Sequence, residues 1–220
     1  MCGRYSLVKA EHELEYYFKG DQKSLPGYRG PSWNVAPTQV MPVGTAEGLE
    51  LMTWGLVPSW AKEFKPAFTT INARGESVAE KPLFRGPFKT RRALIPASGF
   101  FEWQKRGSEK QPMYFSLPDR ELFSFAGLYD VWYDSDGAPH KSYTIITTSA
   151  NSTLEGVHDR MPVILDPEEE QHWLDAEATP EQLQLLLNPY DGEMRRHEVS
   201  RDVGNARNNH EGLIAPVNSL

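Results

Sequence analysis

Between Arg92 and Thr148 the sequence offers one short apolar or alternating run after another, with no helical periodicity between them. Arg92–Ala97 (RALIPA), Met113–Leu117, Leu122–Leu128, Tyr129–Tyr133 and Ser142–Thr148 each read as a strand. Parallel neighbours need a crossover of a dozen or more residues, usually a helix, whereas antiparallel neighbours need only a tight turn. Asp134-Ser135-Asp136-Gly137 supplies such a turn, and Gln104–Pro112 (QKRGSEKQP) reads as a polar hairpin loop. Spacing this close requires antiparallel pairing in a sandwich or barrel rather than a doubly wound sheet. Glu50–Val57 and Met194–Val199 read as further strands, and Pro37 pushes Ala36 towards extended backbone. Lys9–Phe18 predicts a short helix with Ala10, Leu14, Tyr17 and Phe18 on one face. Asp166 and Thr179 are helix N-caps, each followed by Pro and, at the third position, by Glu169 or Gln182. The second of these helices is expected to cover Leu183–Leu187 and to stop at Asn188-Pro189. Asn151–Val157 reads as a helical turn and Gly20–Pro31 as a loop. With no repeat or linker, the expectation is one α+β domain over residues 1–220, with a mostly antiparallel sandwich or barrel and short flanking helices.

Several function classes fall away on composition. No apolar run reaches 18 residues, so no membrane span is expected, and the first 18 residues lack the apolar segment of a signal peptide. A single cysteine excludes an internal disulfide and any multi-cysteine zinc site. The expectation is a protein without metal or cofactor, monomeric, in a reducing cytoplasmic, nucleoid-associated setting; protein partners are not legible. The net charge of −7 argues against a polyanionic partner, but its distribution does not. Trp60–Arg106 holds ten Lys/Arg against four carboxylates, a local +6, while Asp166–Glu193 has no Lys or Arg. A basic middle and an acidic tail suit one anion-binding face, and equally suit basic residues scattered around the surface.

Three places carry candidate chemistry. Cys2 follows the initiator methionine, which aminopeptidases remove when the next side chain is small. The mature chain then starts with an amine and a thiol on neighbouring carbons. That amine condenses with an aldehyde to a Schiff base, and the thiol closes a five-membered thiazolidine on the imine carbon. An α-amine with a pKa of roughly 7.7–8.0 is partly neutral at cellular pH. The alternative is a small hydrophobe tucked under the first strand. Glu102, between Phe101 and Trp103, is a carboxyl in apolar company whose pKa could rise into the general acid/base range. Strict alternation turns it away from both aromatics, towards water. His158-Asp159-Arg160 sets an imidazole beside a carboxylate and a guanidinium.

Nine stretches in order then resemble the SOS response-associated peptidase (SRAP) family. They are MCGRY at 1–5, NVAPTQ at 34–39, WGLVPSWAK at 54–62, INARGES at 71–77, EKPLFR at 80–85, PASGFFEW at 96–103, FAGLYDVW at 125–132, TIITTSAN at 144–151 and HDRMPVIL at 158–165. The resemblance implies a compact mixed fold with a barrel-like core, and capture of abasic sites in single-stranded DNA by the N-terminal cysteine. It assigns Cys2 as nucleophile and Asn72, Glu102 and His158 as its active-site companions. Arg4, Arg74 and Arg160 match phosphate-contacting or site-ordering positions, Pro37 and Trp60 match the DNA channel, and Lys81 matches a DNA contact more loosely. The family name also implies peptidase activity, which includes release of Met1 from Cys2. A cysteine peptidase or amidohydrolase with an N-terminal nucleophile is the alternative reading, and a lyase acting through the Schiff base is an extension of the first.

Overall fold

The computed structural model describes residues 2–18 and 25–217. In chain order its strands are β1 (Arg4–Leu7), β2 (Ser32–Val35), β3 (Val40–Thr45), β4 (Gly48–Trp54), β5 (Asn72–Arg74), β6 (Arg92–Ala97) and β7 (Gly99–Arg106). They continue as β8 (Glu109–Ser116), β9 (Phe123–Tyr133), β10 (Pro139–Ser149), β11 (Arg160–Pro162), β12 (Ile164–Leu165) and β13 (Arg195–Glu198). The helices are short: α1 (Glu11–Tyr17), α2 (Arg85–Thr90), α3 (Pro167–Leu174) and α4 (Pro180–Gln184).

One sheet is antiparallel throughout, in the order β13-β8-β7-β1-β2. In the other, β10, β4, β3, β6 and β9 pair in series and β9 returns to β10, closing a five-stranded barrel. Closure removes the open edges that an exposed sheet would present. The α+β class and mostly antiparallel pairing expected from the strand spacing, and the barrel-like core implied by the resemblance, are observed. The departure from antiparallel order is β10, which runs parallel to β4 and β5. Those pairings join segments far apart in sequence, where the connecting chain is long enough for a parallel crossover.

The core explains why the two sheets hold together. Tyr5 packs edge-on against Trp54 at 5.2 Å and against Phe125 at 6.0 Å, and Trp54 stacks on Tyr143. Tyr5 and Tyr143 share a hydroxyl–hydroxyl hydrogen bond of 2.8 Å, which satisfies two phenols with no solvent access. A second, smaller cluster of Phe101, Tyr114, Val199, Val203 and Leu213 covers the opposite side of the first sheet. Strand β7 is therefore buried on both faces. Phe100 belongs to the main core, Phe101 to the outer cluster, and Glu102 returns to the side of Phe100.

Several elements differ from the sequence expectation. Gln104–Pro112 is not a loop: β7 and β8 stay paired out to Arg106 and Glu109, and the turn between them is Gly107-Ser108, with Gly107 at φ 60°. Polar residues on both faces of that projecting hairpin erase the alternation that marks a half-buried strand. Leu122–Leu128 and Tyr129–Tyr133 merge into one strand, the eleven residues Phe123–Tyr133, because β9 serves β6, β10 and β12 along its length. The helix α4 ends at Gln184; the Leu185 amide still bonds to the Glu181 carbonyl, and Leu186 and Leu187 then make tighter i,i+3 hydrogen bonds to Leu183 and Gln184. Both N-terminal signals hold: Glu169 accepts the Asp166 amide at 2.9 Å and Gln182 accepts the Thr179 amide at 2.8 Å. Helix α1 is shorter than expected, with Leu14 as its fully buried residue. Within the Gly20–Pro31 loop, residues 20–24 lie outside the described residues. Among the described residues no helix is long and apolar enough to cross a membrane.

Gly99 shows how tightly the first sheet is built. A Cβ there would lie 2.2 Å from Tyr114 Oη and 2.6 Å from the Phe115 carbonyl oxygen. The backbone carbonyl cannot swing aside as a side chain could. Gly99→Ala is therefore expected to destabilise the fold by roughly 1–3 kcal/mol, read as a lower urea midpoint at unchanged m-value.

Candidate active site

Cys2 has no solvent access, and its residue sits at the edge of the main core. Its carbonyl accepts a hydrogen bond from Asn72 Nδ2 at 2.9 Å, and its thiol lies 3.7 Å from the Arg4 carbonyl oxygen. Asn72 opens β5 and is placed by the parallel ladder, opposite Ile145 of β10. Its Oδ1 is buried without a hydrogen-bond partner among the described residues. An amide oxygen in that state suits an incoming donor.

Glu102 is 2% exposed. The alternation argument that sent it to water fails because β7 is covered on both sides. Burial, as the largest cause, raises its pKa to about 7. It lies near enough to Cys2 that its negative charge, after burial, helps push the Cys2 thiol far above the ordinary range. His158 follows the turns after β10, and its Nε2 stands 4.0 Å from Glu102 Oε2. Burial also lowers the His158 pKa, so the ring is mostly neutral at pH 7. The Arg160 amide donates to His158 Nδ1 at 3.0 Å, which assigns the remaining proton of the neutral ring to Nε2, on the Glu102 side. Asp159 Oδ1 is also 3.0 Å from Nδ1 and becomes its acceptor when the ring is protonated. Cys2, Asn72, Glu102 and His158, separated by up to 156 positions, thus form one cluster.

The arginines behave differently from one another. Arg160 forks onto Glu76, with Nη2 at 2.9 Å from Oε2, and also donates to the Thr147 carbonyl at 2.6 Å. Arg74 is exposed and pairs in register with the same Thr147, so it lies beside Arg160 and on the same face of β5 as Asn72. Arg4 is committed inward: Nη1 donates to Asn34 Oδ1 at 2.7 Å and to the Val203 carbonyl at 2.6 Å, and Nη2 reaches the Gly204 carbonyl at 3.1 Å. Pro37 is half-buried just beyond β2, Trp60 is 72% exposed, and Lys81 is exposed. Among the described residues, neither the Trp60 nor the Lys81 side chain makes a hydrogen bond or ion pair with the four clustered residues. A groove of about 710 Å³ runs alongside the site, lined by Ser149–Ser152 and Glu155–Asp159, and reaches it at His158.

Sequence reasoning missed Glu76 and Asn34, whereas the carboxylate it set beside His158, Asp159, lies 3.0 Å from the ring. Glu76 carried a signal, since INARGES pairs a carboxylate with the basic stretch. Asn34 carried none, because its partners lie about 170 positions away: Nδ2 donates to the Val203, Asn205 and Asn208 carbonyls. The basic stretch is also less available than its charge suggests. Arg92 is buried and donates to the Phe88, Lys89, Trp173 and Asp175 carbonyls, Arg91 pairs with Asp130, and Arg106 pairs with Glu198.

A cysteine beside a buried carboxyl and a neutral imidazole, at the rim of a small β-barrel, defines a cysteine-centred site. Among the described residues no group of three His, Cys, Asp or Glu side chains could hold a metal ion beside it. The family model for SOS response-associated peptidase (SRAP) matches residues 1–206, and the chain belongs to that family. It is 42% identical over 221 aligned positions to the abasic site processing protein YoqW of Bacillus subtilis, covering 97% of this chain and 99% of that one. It is 32% identical to the abasic site processing protein HMCES of Xenopus tropicalis, covering 99% of this chain and 78% of that one. A solved structure from Bacteroides thetaiotaomicron superposes with a TM-score of 0.90 at 28% identity, covering 98% of this chain and all of the other.

The Glu102 shift has a consequence for stability. Its folded pKa of about 7 lies above the ordinary carboxyl value of 4.5, so the protonated acid favours the fold. That contribution is complete below pH 4.5 and is lost as pH rises through about 7, on the order of 3 kcal/mol in all. Glu102→Gln, neutral at every pH, should therefore raise Tm more at pH 8 than at pH 5. Equal shifts at the two pH values in a calorimetric scan would show that Glu102 titrates normally.

Proposed function

We propose that this protein processes abasic sites in single-stranded DNA, forming a covalent thiazolidine through Cys2 once Met1 has been removed. The reading is supported by the convergence of Cys2, Asn72, Glu102 and His158, and by relatives named as abasic site processing proteins. An abasic deoxyribose is mostly a closed ring, and its aldehyde appears when the ring opens. His158, with a proton on Nε2, donates to the ring oxygen as the C1′–O4′ bond breaks and takes back the C1′ hydroxyl proton as the aldehyde forms. The Cys2 amine then adds to C1′. Glu102 takes the amine proton and returns it to the departing hydroxyl, so one water leaves and an imine remains. A carboxyl with a pKa of about 7 exchanges protons in both directions at cellular pH. Finally the Cys2 sulfur bonds to C1′ while the thiol proton passes to nitrogen, and the five-membered ring closes. Asn72 holds the Cys2 backbone and offers its free Oδ1 to the amine or sugar hydroxyl. Arg74, exposed beside the site, supplies a guanidinium fork suited to a flanking phosphate, and Arg160, forked onto Glu76, orders that corner. If the imine is not trapped, loss of the 3′ phosphate by β-elimination gives lyase activity. Release of Met1 is hydrolysis of the Met1–Cys2 bond with Glu102 and His158 as the proton-transfer groups.

The thiol environment favours this order over a thiolate-first cysteine peptidase. Burial and the nearby Glu102 charge disfavour the thiolate that a peptidase needs at rest. In the amine-first sequence the thiol attacks an imine already formed beside it.

Two measurements test the reading. In denaturing electrophoresis with abasic single-stranded DNA, the processed protein is expected to give a stable adduct. Cys2→Ala should nick the strand without a lasting adduct, Cys2→Ser should give little lasting product, and a chain with one extra residue before Cys2 should give neither. If the extended chain cross-links as well as the processed one, the bond comes from the thiol alone and the thiazolidine is wrong. The rate should also follow Glu102. The ionised carboxylate is the base, so cross-linking rises as pH passes upward through about 7. Glu102→Gln should lower the rate by about 10²–10⁴-fold and remove that inflection.

A further inference from the structure

The segment after β2 holds a backbone conformation that its residue does not favour. Ala36-Pro37-Thr38-Gln39 closes with a hydrogen bond from the Gln39 amide to the Ala36 carbonyl at 3.2 Å. Thr38 has φ 73°, the positive φ found at no other non-glycine position among the described residues. Proline at the second position and positive φ at the third define a type II turn, whose third position is ordinarily Gly or Asn. A β-branched residue there is strained. Three hydrogen bonds impose the geometry from outside the Thr38 side chain. The Thr38 amide donates to the Trp54 carbonyl at 2.8 Å, the Trp54 amide donates to the Gln39 carbonyl at 2.9 Å, and Gln39 Oε1 accepts the Ala36 amide at 3.1 Å.

The turn is also placed at the site. β2 runs antiparallel to β1 with Val35 opposite Tyr5, so the chain beyond Val35 heads back towards the Cys2 end of β1. On its other side, Trp54 Nε1 donates to the Ile71 carbonyl at 3.0 Å, one residue before Asn72. The turn is therefore linked on one side, through β2, to β1, which begins two residues after Cys2, and on the other, through Trp54, to the residue before Asn72. Thr38 itself is exposed there.

We infer that Thr38 is a further DNA-contacting residue: the strained turn holds its hydroxyl at the rim of the site, facing a backbone phosphate beside the lesion. A threonine hydroxyl is a common donor to phosphate. The inference rests on the proposed single-stranded DNA substrate. Glycine at this position would relax the backbone and remove the contact, so stability and binding should move in opposite directions. A residue that served only to hold the turn would not give that pair of signs.

The test uses the full chain with Thr38→Gly, Thr38→Ser and Thr38→Val. The probe is a single-stranded oligonucleotide with a tetrahydrofuran abasic analogue, which lacks the aldehyde and so reports binding without the covalent step. Thr38→Gly is expected to raise Tm by about 2–4 °C and to weaken binding about fivefold. Thr38→Ser keeps the hydroxyl and should bind as the parent does; Thr38→Val keeps the branched shape and should bind as weakly as Thr38→Gly. If the parent binds the oligonucleotide and Thr38→Gly or Thr38→Val binds equally well, the contact is wrong and the DNA reading stands. A lower Tm for Thr38→Gly overturns the strain argument. Failure of the parent itself to bind overturns the substrate reading and this inference with it.

Discussion

A carboxyl group held at 2% exposure resists ionisation, and the site depends on that resistance. Glu102 is where it is because β7 lies inside the first sheet, between β1 and β8, with an apolar cover on each side. Alternation sends Phe101 outward into the cluster of Tyr114, Val199, Val203 and Leu213, and turns Glu102 inward beside Cys2. If that outer cluster were missing, Phe101 would lie against water and the strand would have one wet face. The pairing of β1 with β7 then brings the start of the chain alongside Glu102, with Arg4 opposite Phe101. Nearness of Cys2 to Glu102 is thus a consequence of sheet order.

The barrel contributes the other half of the site through one strand. β10 carries β5 on a parallel ladder and β11 on an antiparallel one. Asn72 and Arg74 arrive by the first, Arg160 by the second, and His158 lies two residues ahead of it. Thr147 is the shared point: it pairs with Arg74 in register, and its carbonyl accepts from Arg160. Glu76 completes that corner by taking the other side of the Arg160 fork. A pair this exposed adds little stability. Its effect is to fix the direction of a guanidinium that would otherwise sample many rotamers.

What could be read from the sequence follows a physical division. Signals that act within a few residues were legible. Asp166-Pro167 and Thr179-Pro180 marked two helix starts, and RALIPA gave β6 with its observed ends. Cys2, Glu102 and His158 also stood out, because each brings a titratable or nucleophilic group into a distinctive local setting, and they lie together in the structure. Features made by distant partners were not. The β7–β8 hairpin was hidden by polar residues on both faces, and the parallel β10 pairings leave no local trace. The same holds for charge: Arg92 looks like part of an anion-binding face, yet four carbonyls from two chain segments hold it inside.

Arg4 and Asn34 show why a matching position does not by itself define a role. By resemblance Arg4 is a phosphate-contacting or site-ordering residue, and the geometry draws its guanidinium inward. Its two terminal nitrogens hold the Val203 and Gly204 carbonyls, while Asn34 Oδ1 accepts from the same group and Asn34 Nδ2 reaches the Val203 carbonyl too and two more of that segment, those of Asn205 and Asn208. The late part of the chain is thereby fastened against β1 and β2, behind the strand that presents Cys2. Val203 and Leu213 are carried with it into the cluster that covers Phe101. The buried setting of Glu102 therefore depends on hydrogen bonds made some 170 positions away from Asn34 and about 100 from Glu102 itself. The start of the chain carries Cys2, and the segment around Val203 and Leu213 helps keep water from the Glu102 carboxyl.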